Sequence, residues 1–168
     1  VTLEFRAARE GDASAVAELY NVFERAFSDD PELESGEDIL RWWRRECEVR
    51  LVLDEGELVG VGYIRRRGDR WDGDGYVHPE AFGRGVGTAI VEWIEERARA
   101  HDSAETRIAT LAQDERGACL LRSRGFVPVR TFFRMMIEPA EQPPVPSWPD
   151  GYVVATLHPG EERDLYEV

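Results

Sequence analysis

The stretch that decides the fold is Tyr76-Val77-His78-Pro79-Glu80-Ala81-Phe82-Gly83-Arg84-Gly85-Val86-Gly87-Thr88-Ala89-Ile90. An extended, β-prone run ends at His78-Pro79. Three glycines at alternate positions follow, and Val86, Ile90, Trp93, Ile94 and Ala98 then recur at helical spacing. The order is strand, glycine turn, long amphipathic helix. Glycines carry no side chain, so main-chain N–H groups in such a turn can approach a phosphate closely. The helix N-terminus adds unpaired donors and a favourable dipole. A pyrophosphate is the natural guest, although three glycines in a turn also serve a purely structural role. A P-loop is excluded, since no Gly-Lys-Ser/Thr is present. A dinucleotide fingerprint fits poorly, because Gly83-x-Gly85-x-Gly87 is not Gly-x-Gly-x-x-Gly.

Upstream of this turn, Leu3–Ala7 alternates like a first strand, and Val16, Leu19, Tyr20, Phe23 and Phe27 predict a helix from about Asp12 to Phe27. Ser28 to Asp38 carries six acids and no base, with Ser35-x-x-Asp38 resembling a capping box. A second helix is expected to carry Ile39, Leu40, Trp42, Trp43 and Cys47. Val49–Asp54 and Leu58–Ile64 read as a hairpin about Glu55-Gly56. Arg65–Arg70 reads as a polar turn, and Trp71–Val77 as the fourth strand. Downstream, Arg107–Leu111 is a short strand and Asp114 caps a helix that Gly125 stops. Phe126–Ile137 is strand-like, with Val127, Val129, Phe132, Phe133, Met135 and Met136, and Pro128 places it at an edge.

The order of these elements over about Leu3 to Ile137 resembles the GNAT superfamily of N-acetyltransferases. "VHPEAFGRGVGTAIVEWI" resembles its acetyl-CoA motif, and "LLRSRGFVPV" its last helix and strand. The resemblance implies an α/β (α+β) GNAT fold: a mixed central sheet of about six to seven strands flanked by about four helices. It implies an enzyme that transfers acetyl from acetyl-CoA to a primary amine of a small molecule or peptide, by direct attack in a ternary complex. In the motif Gln/Arg-x-x-Gly-x-Gly/Ala, Gly85 and Gly87 match the glycines, and Phe82 stands where Gln or Arg is usual. The resemblance places the CoA pyrophosphate on the amides from about Gly83 to Thr88, that is Gly83, Arg84, Gly85, Val86, Gly87 and Thr88. It offers the backbone of Tyr76 and Val77 to the pantetheine arm, with the Val77 N–H polarising the thioester carbonyl. Asp114 stands where many members carry an asparagine, at the end of strand 5.

The chemistry is less complete. Counting four residues back from Gly125 gives Leu121 where many members place a tyrosine acid. Cys119, on the same helix, reads as a small buried hydrophobe. His78 precedes a proline and reads as structural. Asp72 and Asp74 share a face of strand 4 by period-2 spacing. They are the candidate bases, with a solvated strand start as the competing reading. Asp29, Asp30, Glu32 and Glu34 either attract a cationic acceptor or form a solvated charge run. Trp42 and Trp43 are not expected to face the core together.

From Glu138 the composition changes. Pro139, Pro143, Pro144, Pro146 and Pro149 form a linker over residues 139–150, which separates a domain at 1–138 from residues 151–168. Tyr152–Leu157, Pro159-Gly160-Glu161, Leu165 and Val168 match Phe5 to Leu19 in order. That pattern reads either as the start of a second GNAT repeat or as an ordinary C-terminal strand and tail. Together with Leu121, it leaves a second functional reading, a noncatalytic acyl-CoA-binding domain of a tandem GNAT protein. A homodimer or a second GNAT domain is the expected protein partner.

The 168-residue chain carries 34 acids against 21 bases, a net charge of −13, and every base is arginine. That balance argues against nucleic acid, which requires a basic face. It is compatible with a cationic acceptor. No apolar run reaches the ~20 residues of a membrane span. The start, Val1 to Gly11, is charged and has no apolar signal core. Cys47 and Cys119 are far apart, so neither a disulfide framework nor a metal site is expected. A cytoplasmic protein is the resulting expectation.

Overall fold

A computed structural model describes residues 3–44, 47–102, 105–135, 137–139, 142–160 and 163. Two compact units divide the chain, residues 1–129 and 130–168. The first holds β1 (Leu3–Ala7), α1 (Ala13–Phe27), α2 (Gly36–Trp43), β2 (Cys47–Asp54), β3 (Glu57–Arg67), β4 (Arg70–Val77), α3 (Val86–Ala100), β5 (Thr106–Ile108) and α4 (Glu115–Ser123). The sheet runs β1-β2-β3-β4-β5 in sequence order. The first three pairings are antiparallel, and β5 joins β4 in parallel.

Two-residue turns set the registers. Glu55 and Gly56 both have positive φ, 52° and 86°, the backbone a tight hairpin between twisted strands needs. Gly68-Asp69 closes the next hairpin and pairs Arg67 with Arg70, Arg65 with Asp72, Tyr63 with Asp74 and Val61 with Tyr76. The expected polar turn over Arg65–Arg70 is therefore two residues long, and Arg65, Arg66, Arg67 and Arg70 belong to strands. A run of charge suits the ends of a long hairpin as well as it suits a loop.

Two apolar layers cover the sheet. On one side Val86, Ile90, Trp93, Ile94 and Ala98 of α3 pack with Val52 and Ile64. On the other, Val16, Ala17 and Leu19 of α1 and Ile39 of α2 pack with Leu51 and Val61. Glycines let α3 approach closely. A Cβ on Gly60, Gly62, Gly73 or Gly75 would lie 2.6–2.8 Å from Val86, Ile90 or Ile94 side-chain atoms. Gly73→Val is therefore expected to lower stability by about 1–3 kcal/mol, read as a drop in Tm in thermal denaturation.

Several expectations are corrected. α2 ends at Trp43, and Cys47 opens β2 rather than continuing the helix. Trp42 and Trp43 both pack, half-buried, against the α1 layer. The short helix packs against both α1 and β2, so neighbouring positions both find apolar contact. β5 is three residues, shorter than Arg107–Leu111. Among the described residues the sheet has five strands, below the six to seven expected. The described residues between Phe126 and Ile137 have no regular secondary structure, and Phe132, Phe133 and Met135 are at least 80% exposed. Period-2 apolar spacing makes a segment fit to lie on a sheet, but a strand exists only through its ladder partners, and Pro128 lacks a donor. Met136 lies outside the described residues.

In the second unit Tyr152–Leu157, expected as a strand, also has no regular structure. Tyr152 donates to the Pro149 carbonyl at 3.2 Å, closing a turn, and Val153 is 89% exposed. Glu161, Leu165 and Val168 lie outside the described residues.

Candidate functional site

β4 carries most of the site, and its two edges differ. The His78 N–H donates to the Val59 carbonyl at 2.9 Å, so His78 and Val59 form a hydrogen-bonded pair. Bonded and non-bonded pairs alternate along an antiparallel ladder. Tyr76 and Val61 are then the next bonded pair, and Val77 opposite Gly60 is a non-bonded one. The Val77 N–H and C=O thus point away from β3, towards the β5 side. The last ladder partner there is Ile108 opposite Gly73, four residues and ~13 Å earlier. The two strands have parted at Val77, and among the described residues no strand faces it. The main chain of Tyr76, by contrast, is directed into the β3 ladder.

The glycine turn sits beside this opening. Gly83 and Gly85 have φ of 74° and 87°, the left-handed backbone that glycine adopts without strain. Gly85 is the N-cap of α3, and the first intrahelical bond runs from the Ala89 N–H to the Gly85 carbonyl at 3.0 Å. The N–H groups of Val86, Gly87 and Thr88 therefore precede any helical acceptor. A Cβ on Gly87 would lie 3.8 Å from Val77 and 3.4 Å from Leu120 of α4, so the open helix end abuts the parted strands. Two predicted binders are already engaged. The Arg84 N–H donates to the Ala81 carbonyl, and its guanidinium pairs with Asp54 at the end of β2. Phe82 lies 6.0 Å from the Phe27 ring, with Arg116 stacked over its face.

Asp114 is 9% exposed and caps α4, its carboxylate accepting from the Gly117 N–H at 3.0 Å. At the other end Gly125 and Phe126 donate to the Arg122 and Leu121 carbonyls, and Gly125 takes φ 87°, a Schellman ending. Leu121 is half-buried on this helix. Cys119 is exposed, against the expectation of a buried hydrophobe. His78 caps the turn at Pro79–Ala81 by accepting from the Glu80 N–H.

The structure separates the two candidate bases. Asp72 is ion-paired with Arg70 at 2.9 Å and Arg67 at 3.2 Å. Asp74 has no ion pair among the described residues. Its carboxylate accepts from Tyr63 Oη at 3.0 Å, Tyr76 Oη at 3.2 Å and the Gly75 N–H at 2.8 Å. Burial pushes its pKa up to about 6, and the three hydrogen bonds and Arg65 oppose that rise only in part. Tyr63 and Tyr76 are themselves raised well above the usual phenol range, chiefly by burial and then by Asp74, so both remain donors.

Aromatic rings surround this carboxylate. Tyr76 lies edge-on to Tyr20 at 4.8 Å and to Phe23 at 5.3 Å, and Tyr20 to Trp42 at 5.6 Å. The acidic loop is tied to α1 next to Tyr20. Asn21 holds Glu34 by two main-chain bonds of 2.8 and 2.9 Å, while Asp29, Asp30 and Glu32 are exposed. Burial, then Glu24, Glu34 and Glu32, raise the Tyr20 pKa. Tyr20 and Tyr63 were missed in the sequence. Tyr63 becomes visible once the hairpin turn is placed at Gly68-Asp69, because that register puts it opposite Asp74. Two further surface cavities, one beside Glu95 and Arg124 and one between Trp43 and Trp93, contain neither Asp74 nor the glycine turn.

The sequence profile of the Acetyltransferase (GNAT) family matches residues 16–126, which span α1 to the end of α4. The chain belongs to this family. A mycothiol acetyltransferase from Catenulispora acidiphila is 29% identical over 119 residues, covering 70% of this chain and 38% of that protein. A GCN5-related N-acetyltransferase from Sphaerobacter thermophilus is similar in structure, with a TM-score of 0.71 and 31% identity over 98% of this chain and 56% of its own. This GNAT chain therefore spans only about four- to six-tenths of these two relatives. The fold is shared with YncA from Salmonella typhimurium, solved with its cofactor acetyl-CoA, at TM-score 0.64, 21% identity and coverage of 76% and 80%. PaiA N-acetyltransferase from Thermoplasma acidophilum, solved with coenzyme A, shares it at TM-score 0.67, 15% identity and coverage of 79% and 94%. Among the described residues of this GNAT domain, no helix is long and apolar enough to cross a membrane, and no group of three or more His, Cys, Asp or Glu is placed to hold a metal.

Proposed function

We propose that this chain binds acetyl-CoA along the parted β4 edge and the N-terminus of α3, and transfers the acetyl group to a primary amine. The observation that carries the reading is the juxtaposition on β4. The unpaired Val77 N–H faces the opening, the amides of Gly85 to Thr88 adjoin it, and the Asp74 carboxylate lies three residues back on the adjacent face.

The roles follow from that geometry. The pyrophosphate rests on the main-chain amides of Gly83, Gly85, Val86, Gly87 and Thr88, where the helix dipole favours negative charge. The pantetheine arm runs along the β4 edge. The Val77 N–H donates to the thioester oxygen and stabilises the negative charge that develops there as the amine attacks. Asp74, with a pKa of about 6, is ionised at neutral pH and accepts a proton from the acceptor's ammonium, directly or through one water. Tyr63 and Tyr76 hold the carboxylate in place. The amine nitrogen forms the C–N bond, the C–S bond breaks, and CoA leaves as a thiolate. Leu121 cannot protonate that thiolate, so its proton comes from solvent or, by way of water, from the nitrogen, which sheds its second proton as the C–S bond breaks.

A second reading is a noncatalytic acyl-CoA-binding domain of a tandem protein. Leu121 favours it, as does the partial coverage of the two relatives. In that reading residues 151–168 begin a second repeat and residues 139–150 are its linker; in either reading the protein works in the cytoplasm.

Calorimetric titration with acetyl-CoA, CoA and NAD tests the shared part. Acetyl-CoA and CoA should bind and NAD should not. A chain ended at Gln142 should bind acetyl-CoA with unchanged affinity, because the matched residues stop at 126. Turnover with a panel of primary amines separates the two readings. NAD binding in place of CoA would overturn both.

A further inference from the structure

Arg65 is a charged group that the roles above do not use. It lies on β3 opposite Asp72, on the sheet face that carries Tyr63, Asp72, Asp74 and Tyr76. Its neighbours on that face are paired, since Arg67 and Arg70 both hold Asp72. The Arg65 side chain makes no hydrogen bond or ion pair among the described residues. It is half-buried, and its Nε is fully buried without a partner. A buried guanidinium N–H left unsatisfied costs free energy that an arriving anion would recover. By register Arg65 lies between Cys47 on β2 and Asp72 on β4, with Tyr63 two residues back on the same face, and its positive charge acts to lower the pKa of Cys47, Tyr63 and Asp74.

The strand register sets a spacing. Asp74 faces Tyr63, and Arg65 lies two residues further along β3, so Asp74 and Arg65 are diagonal cross-strand neighbours ~7 Å apart. An acceptor whose amine is at Asp74 and which extends away from Val77 would bring its next few atoms to Arg65.

We propose that Arg65 recognises an anionic group on the acceptor, and that the substrate class is a primary amine carrying a carboxylate or phosphate several bonds from its nitrogen. The inference rests on the acceptor lying along this face, as the proposed function has it. The planar guanidinium forks onto either anion through two parallel N–H···O bonds. Asp74 and Arg65 then form opposite-sign contacts for the two ends of one zwitterion, which fixes the direction in which the acceptor lies.

The test compares 4-aminobutyrate, 2-aminoethyl phosphate and butylamine, by turnover with acetyl-CoA and by calorimetric binding in the presence of CoA. The wild type should favour at least one anionic amine over butylamine by about 10- to 100-fold. In Arg65→Gln that preference should fall to near unity through KM, and Arg65→Lys should recover part of it. Arg66→Gln, on the exposed opposite face, should keep the full preference. The arm that is favoured tells carboxylate from phosphate. Equal handling of all three amines by the wild type, or a preference that survives Arg65→Gln, overturns the inference and leaves the acetyltransfer reading intact. Failure of acetyl-CoA or CoA to bind overturns that reading instead. Failure of both anionic amines to bind in the presence of CoA overturns the inference even where no amine turns over.

Discussion

Gly87→Glu is expected to fold like the wild type and to weaken acetyl-CoA binding by at least about 100-fold. The position is the second residue of α3, and a Cβ there meets only ordinary contacts, 3.4 Å to Leu120 and 3.8 Å to Val77. A carboxylate in the first turn of a helix is favoured by the dipole, so the fold has no reason to suffer. The ligand's pyrophosphate would meet bulk and like charge where it needs bare N–H groups. Gly85→Glu should lose binding too, but Gly85 has φ 87°, so backbone strain there confounds the reading. Phe82→Gln should leave binding intact, because Phe82 contributes a ring to Phe27 and Arg116 rather than an amide to the turn. Calorimetry with CoA, alongside thermal melts, checks all three. Wild-type affinity in both glycine variants would remove the pyrophosphate from this turn.

Asp74→Asn should lower kcat by at least about tenfold, within the range for a general base, while Asp72→Asn should change kcat little. Asp72 is engaged by Arg67 and Arg70, whereas Asp74 is held by two tyrosines and free of any ion pair among the described residues. The pH dependence adds a second signature. With a pKa of about 6 in the folded chain, Asp74 gives kcat/KM an acidic limb near pH 6, which the Asn variant should lack.

The stability consequence has the opposite sign to a salt-bridged carboxylate. The folded pKa is raised above the ordinary 3.8, so between about pH 4 and 6 the folded chain binds more protons than the unfolded one. Stability falls as pH rises through that window, by on the order of 2–3 kcal/mol, and stays lower above it. Asp74→Asn should therefore be at least as stable as the wild type at pH 7–8 while being slower. Equal kcat in the two, or greater sensitivity at Asp72, would take the base away from Asp74.

Local pattern made some of this molecule legible and hid other parts. The strand, glycine turn and amphipathic helix from Tyr76 to Ala98 were readable because each rests on neighbours within a few residues: positive φ at Gly85, helical spacing, an open first turn. The capping box at Ser35 and the stop at Gly125 were readable for the same reason. The tight hairpin at Glu55-Gly56 was placed correctly. The second hairpin was not, and the cost was the site. Taking Arg65–Arg70 as one polar turn hid the strand positions of Arg65, Arg67 and Arg70. With them went the pairing of Tyr63 with Asp74, since a register follows only from the residues at which the chain reverses.

Adjacent residues alone specified the helices α1 and α3, the β2–β3 hairpin, and the first turn of α3 whose amides have no helical acceptor. Those properties are set by the backbone preferences and side-chain periodicity of adjacent residues. Only the tertiary structure decided which of two equivalent-looking aspartates is ion-paired and which is buried among tyrosines. It also decided that Val77 rather than Tyr76 presents a free N–H, and that the apolar run after Gly125 has no strand geometry. Each of these depends on what lies across a ladder or above a sheet face. Those partners come from distant parts of the chain, brought together by packing that no local pattern encodes.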